Sequence, residues 1–178
     1  MNWYSIKDDY IDYIKQADNL VPNVSYGSNK TKCFLGIIVI NNNFNYFIPL
    51  TSYKEKFKKI REGADFYKLK DQAGKVYAAL NINNMIPVPD NMYELINKNN
   101  LYLFRDFKNY NEQRQYWDLL KKELKLIDEN EVQKRAAKLR SIFETAQNKK
   151  LISRCCNFKL LEERCLEYER SQKKEYSR

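Results

Sequence analysis

Residues 33–40 read Cys-Phe-Leu-Gly-Ile-Ile-Val-Ile, a continuous apolar run followed by Asn41-Asn42-Asn43 and a second apolar stretch over 44–50. The run is rich in β-branched side chains and too short for a typical helix, so it predicts a buried strand. The asparagines predict a tight turn, and the return over 44–50 makes the pair a β-hairpin, ended by Thr51-Ser52. Every other element has to be built around that buried antiparallel pair.

Before the hairpin, residues 2–7 predict a short strand with Trp3 and Tyr4 as strand formers. Asp8 and Asp9 read as an N-cap and first turn. Tyr10, Ile11, Tyr13, Ile14 and Ala17 then fall at helical spacing and predict a helix over 9–18. Pro22 and the Asn/Ser/Gly-rich residues 23–30 predict a loop. After the hairpin come strand candidates over 75–81 and 84–88, broken by Pro87 and Pro89, and a short helix over 91–98 capped by Asp90. Beyond residue 110 the style changes. Residues 111–127, 130–147 and 158–173 are Lys/Glu/Leu-rich with apolar residues at i, i+3, i+4, such as Trp117, Leu120, Leu124 and Ile127. Strands early and helices late predict an α+β fold, a small antiparallel sheet or barrel packed by helices, with a helix-rich C-terminal half. No internal repeat and no linker divide residues 1–178, so one domain is expected.

Charge and residue types narrow the chemistry. The 178 residues carry 32 Lys+Arg against 23 Asp+Glu, a net +9, and no histidine. Ser-His-Asp and Cys-His nucleophile systems, imidazole bases and Cys2His2 zinc fingers are therefore excluded. The basic excess lies at both ends of the chain: residues 1–60 hold 8 basic and 5 acidic side chains, 101–178 hold 19 and 13, and the middle is neutral. Together with 14 tyrosines this is a nucleic-acid signature, although solvated lysines alone give the same composition. Cys33, Cys155, Cys156 and Cys165 form no CxxC pair. They read as reduced thiols, with Cys33 and Cys156 in the core. No metal or other cofactor is expected. The start MNWYSIKDDY lacks the apolar core of a signal peptide, and the run 34–40 is too short to span a bilayer, so a cytoplasmic protein without membrane partners is expected.

The candidate site begins at Pro49-Leu50-Thr51-Ser52-Tyr53-Lys54, where two hydroxyls and a lysine leave a buried strand. A Thr-Ser helix cap before 54–59 is the bland alternative. In the hairpin the start of the first strand lies beside the end of the second, so Lys32 is expected near Leu50, Thr51 and Ser52, with Lys54 on the same rim. Tyr26 and Lys30 precede it in the loop. Lys56, Lys58, Lys59 and Arg61 form an exposed basic segment. Lys134, Arg135, Lys138 and Arg140 give the helix over 130–147 a basic face, read equally as an RNA-phosphate surface or a solvated face. Asn157 is a good N-cap for the last helix. Lysines and hydroxyls without histidine or a Gly-rich phosphate loop suit phosphodiester chemistry on RNA. There the 2′-OH is the nucleophile, and the protein stabilises charge on the pentavalent phosphorane.

At this point the chain resembles the toxins of type III toxin–antitoxin systems, the ToxN, AbiQ and CptN group. The likeness is carried in order by Trp3-Tyr4-Ser5-Ile6 with Tyr10, Val21-Pro22-Asn23, Lys32-Cys33-Phe34-Leu35-Gly36-Ile37, Pro49-Leu50-Thr51-Ser52-Tyr53-Lys54, Met85-Ile86-Pro87 and Cys156-Asn157-Phe158-Lys159-Leu160-Leu161-Glu162. The resemblance implies a MazF/Kid-like β-core and a metal-independent endoribonuclease that leaves 2′,3′-cyclic phosphate and 5′-OH ends. It also implies a repeated pseudoknot antitoxin RNA as partner and inhibitor in a closed protein–RNA oligomer, cellular or phage RNA as substrate, and a role in growth arrest or phage abortive infection. Carried over residue by residue, it places Thr51, Ser52, Lys54, Lys32, Tyr26 and Tyr10 at the catalytic site. Lys30, Lys56, Lys58, Lys59, Lys134, Arg135, Lys138 and Asn157 are the candidate RNA contacts. Two other classes compete: a non-catalytic module that binds structured RNA, and a DNA-binding repressor, for which no helix-turn-helix signature precedes the basic helix.

Overall fold

The structure, a computed structural model, describes residues 1–23, 30–40 and 44–175. The elements run β1 (Asn2–Ile6), α1 (Asp8–Lys15), β2 (Phe34–Val39), β3 (Asn45–Ser52), β4 (Phe66–Lys70), β5 (Val76–Asn81), β6 (Ile86–Pro87), β7 (Tyr93–Leu95), α2 (Tyr110–Lys125), α3 (Glu129–Glu144), α4 (Lys149–Ile152) and α5 (Phe158–Glu175). The α+β architecture and the late helices agree with the sequence reading. The hairpin pair β2–β3 is antiparallel, with Phe34 opposite Pro49 and Leu35 opposite Ile48. The expected asparagine turn lies outside the described residues.

The sheet order is β4-β5-β3-β2-β1-β7, with β6 also paired to β3. Every described pair is antiparallel. The sheet is open, with β4 and β7 at its edges, so of the sheet or barrel expected the structure has the sheet. β3 is its hub. One edge of β3 pairs with β2. The other pairs with β6 at Tyr46–Phe47 and with β5 at Leu50–Ser52. Gly36 fits where β2 and β3 are irregular: a Cβ there would stand 2.6 Å from Phe47 Cδ1 and 3.0 Å from Tyr4 Cδ2, so only glycine lets the strands approach.

Two local expectations are corrected. Residues 91–98 are not a helix. A single 3-10 turn over Asp90–Met92 leads into β7, whose Tyr93, Glu94 and Leu95 pair with Ile6, Ser5 and Tyr4. The free edge of β1 outweighs local preference. Residues 66–70, unassigned from sequence, form β4 on the edge of β5. At α1, Lys7 occupies the N-cap position and makes no side-chain cap, while Asp8 and Asp9 sit in the first turn. The helix expected over 130–147 ends at Glu144, because Ala146 takes a left-handed backbone (φ 52°) before α4.

The helices pack by the apolar stripes that predicted them. Trp3 Nε1 donates to the Leu120 carbonyl at 2.9 Å, tying β1 to α2. Val132, Ala136 and Leu139 bury one face of α3, and Phe158, Leu161 and Cys165 one face of α5. Val132, Ala136, Leu139, Phe158 and Leu161 join Phe34, Tyr46, Phe47 and Ile48 of the sheet in one core, so α3 and α5 pack against the strand that carries the site.

Candidate active site

The rim predicted from hairpin geometry is present. Leu50 N donates to the Cys33 carbonyl at 2.9 Å, and Lys32 Nζ donates to the Leu50 carbonyl at 3.3 Å. On the opposite edge of β3, Thr51 faces Ala79 and Ser52 faces Ala78. Thr51 and Ser52 are therefore paired strand residues, and Lys54, at the N-cap position of the following 3-10 turn, makes no side-chain cap. The alternative of a Thr-Ser helix cap does not hold.

An open cleft of about 940 Å³ lies along this strand end. Lys32, Thr51, Lys54 and Lys56 line it, with Arg61, Glu62, Asp65, Asn81, Asn83, Asn84 and Arg154. Strand alternation turns Ser52 away: it is exposed and outside that lining. Thr51 is held by Asn81, whose Nδ2 donates to Oγ1 at 2.9 Å. Five cations face two carboxylates, and both carboxylates are engaged. Asp65 pairs with Arg154 at 3.0 Å. Glu62 accepts from Lys70 Nζ at 2.5 Å and from the Lys68 backbone, and lies 3.7 Å from Arg135. Burial pushes the Glu62 carboxyl up, but those hydrogen bonds and the charges of Lys70 and Arg135 together hold it below its ordinary value. The field left for a ligand is positive, as an RNA backbone requires.

Other candidates lie elsewhere. Tyr10 is fully buried and its hydroxyl donates to the Pro87 carbonyl at 2.7 Å, so it is a core residue and does not line the cleft. Tyr26 lies outside the described residues. Lys30 is exposed, and its backbone bridges to Arg105. Lys58 pairs with Glu55 at 2.9 Å, and Lys59 is exposed outside the lining. Lys134 and Lys138 are exposed beside a second pocket of about 380 Å³ that shares Glu62 and Gly63 with the cleft. Arg135 is committed to the fold: Nε pairs with Glu131 at 2.7 Å, Nη1 donates to the Gly63 and Phe66 carbonyls, and the guanidinium lies over the Tyr67 ring. Asn157 Oδ1 caps α5 by accepting from Leu160 N, and its own backbone N–H donates to Asp18. Its side chain is a structural cap before it is an RNA contact.

The model of the ToxN toxin family, toxins of type III toxin–antitoxin systems, matches residues 2–166. The chain belongs to the ToxN family. Endoribonuclease ToxN of Bacillus thuringiensis subsp. kurstaki is 31% identical over 182 residues, covering 97% of this chain and 87% of the relative. Endoribonuclease AbiQ of Lactococcus lactis subsp. lactis is 32% identical over 97 residues, 51% of this chain and 52% of the relative. A solved structure concerned with selective toxin inhibition by a non-coding RNA pseudoknot in type III systems superposes with a TM-score of 0.77. It is 30% identical and the match covers 95% of this chain and 99% of that one. A second, concerned with a processed non-coding RNA that regulates a bacterial antiviral system, also gives 0.77 at 26% identity over 92% and 96% of the two chains.

The sequence reading brought Lys32, Thr51 and Lys54 together, and all three line the cleft, but it did not single out Asn81, Asn83, Asn84, Asp65 or Arg154. Asn81, Asn83 and Asn84 are a polar cluster directly after an apolar strand, a signal of a loop that carries more than a turn. Arg61 stood in the exposed basic segment. Asp65 and Arg154 carry no local signal, because only the tertiary fold brings residues 65 and 154 together.

Proposed function

We propose that this chain is the endoribonuclease toxin of a type III toxin–antitoxin system, acting at the cleft beside the end of β3. The observation that carries the reading is the convergence of Lys32, Thr51 and Lys54 on one positive cleft in a chain of the ToxN family. RNA laid there presents a phosphodiester to two ammonium groups and a fixed hydroxyl. Its own 2′-OH attacks the adjacent phosphorus, and the bond to the 5′ oxygen of the next nucleotide breaks. The products are a 2′,3′-cyclic phosphate and a 5′-OH.

Lys32 and Lys54 stabilise the dianionic phosphorane, where the charge exceeds that of the ground-state phosphate, so their effect falls on the rate. Thr51 donates to a nonbridging oxygen. Ser52, exposed on the other face of β3, takes no part in holding the scissile phosphate. Lys56 and Arg61 hold flanking phosphates, and Lys134 and Lys138 extend the path across Gly63. The partner is a small repeated antitoxin RNA, structured as a pseudoknot, that occupies the cleft in a closed protein–RNA assembly. The substrates are cellular or phage RNAs.

Lys32→Ala and Thr51→Val are each expected to slow cleavage of a labelled RNA about 10²–10³-fold, with the thermal midpoint retained, since a preorganised charge or donor of this kind contributes about 3–4 kcal/mol. Product analysis should find cyclic phosphate and 5′-OH ends, formed equally in the presence of EDTA. Products with 3′-OH and 5′-phosphate ends would exclude the 2′-OH mechanism, and activity that vanishes with EDTA would exclude a metal-independent one. Full activity of both variants would move the site elsewhere. A Ser52→Ala loss as large as that of Thr51→Val would bring Ser52 into the reacting shell despite the strand alternation.

A further inference from the structure

Asn81 is the last residue of β5 and stands at the N-cap position of the 3-10 turn Ile82–Asn84. An asparagine there ordinarily caps the turn with its own side chain. Here no side-chain cap forms. The amide reaches instead across the sheet, and Nδ2 donates to Thr51 Oγ1 at 2.9 Å. The strand register explains the reach. Thr51 is opposite Ala79, and Asn81 lies two residues further on, so all three share one face of the sheet.

A threonine hydroxyl has one proton to donate and two lone pairs to accept with. The Asn81 nitrogen can only donate, so it occupies a lone pair of Oγ1 and leaves the hydroxyl proton uncommitted. Thr51 lines the cleft with Lys32 and Lys54, so that proton is free to serve a ligand bound between them. We propose that Asn81 is a positioning residue that holds Thr51 as a hydrogen-bond donor to the RNA phosphate. This rests on the ribonuclease reading of the cleft. Without Asn81 the hydroxyl samples its rotor freely and must be ordered during the reaction, so the loss falls on the chemical step rather than on RNA binding.

The test compares Asn81→Ala, Asn81→Asp, Thr51→Val and the double variant Thr51→Val/Asn81→Ala, with steady-state cleavage of one labelled RNA and a thermal midpoint for each. Aspartate keeps the shape of asparagine but only accepts, so it draws the Thr51 proton to itself and away from the phosphate. Asn81→Ala is expected to lower kcat about 10-fold with KM within about 3-fold, and Asn81→Asp to lower it about 100-fold or more. The double variant should be no slower than Thr51→Val within about 3-fold, because Asn81 acts only through Thr51. Asn81→Asp at the full rate, losses that multiply in the double variant, or a change in KM alone would overturn the inference while leaving the nuclease standing. A wild-type protein that leaves RNA intact would overturn the nuclease reading and this inference with it. If Asn81→Asp does not fold, the comparison of Asn81→Ala, Thr51→Val and their double decides.

Discussion

Glu123 shows how one residue sets a property of the whole chain. It lies on the inner face of α2, three residues after Leu120, and is only 4% exposed. Lost solvation pushes its carboxyl up to about 7. Between its ordinary value of 4.5 and about 7, the folded chain holds a proton there that the unfolded chain has released. Stability therefore falls as pH rises through that window, by an amount on the order of 3 kcal/mol for this group. Urea midpoints at pH 5 and pH 8 should differ more for the wild type than for Glu123→Gln, and the variant should be the more stable at pH 8. An unchanged pH difference would show that Glu123 is solvated in the folded state. Other single residues divide in the same way between what was legible and what was not. Cys33 and Cys156 read as core thiols, and burial does push them up to about 11 and about 12, which keeps them protonated and unreactive at neutral pH. Tyr10 read as a site residue by resemblance, yet its spacing with Ile11 and Ile14 already put it on the buried face of α1.

At the scale of elements, segments with a pattern of their own were legible, the short strands β1 and β5 among them, whereas β4 and β7 were not. The hairpin and the helices carry their own pattern, so sequence located β2, β3, α2, α3 and α5 closely. β4 and β7 hold three to five residues each and exist because β5 and β1 offer them an edge. No pattern internal to Tyr93–Leu95 distinguishes a strand from the expected helix. The join between elements is likewise tertiary. Glu162 of α5 accepts from Tyr46 of β3 at 2.5 Å and from Arg140 of α3 at 3.2 and 2.8 Å, while Arg140 also reaches Glu144 at 2.9 Å. Arg140 and Glu162 are both buried. Glu162→Ala leaves the buried guanidinium with the exposed Glu144 alone and the Tyr46 hydroxyl without its acceptor, and is expected to cost about 3 kcal/mol, because removing one partner of a buried pair leaves its charge less compensated. Denaturant unfolding of the variant measures this. A loss below about 1 kcal/mol would mean that water reaches Arg140.

The whole molecule turns the end of a central strand into a positive path. The cleft at the end of β3 and the smaller pocket beside α3 meet at Glu62 and Gly63, so cations from residues 32, 54, 56, 61, 134 and 138 lie along one surface. RNA affinity should fall steeply with salt, and replacing both Lys134 and Lys138 by alanine should flatten the slope of log K against log salt by about 2 if each meets one phosphate. A slope unchanged in the double variant would end the path at the cleft. Sequence by itself determined the class of fold, the central hairpin, the order of strands before helices and the Lys32–Thr51–Lys54 rim. All of these depend on local periodicity or on a hairpin whose register is set by near neighbours. Tertiary structure alone decided that Arg135 is a clamp and that Asn81, Asp65 and Arg154 line the same cleft as Lys32, Thr51 and Lys54. Those facts depend on which distant strand or helix claims each side chain, and contacts between residues far apart in the chain leave no periodic trace in it.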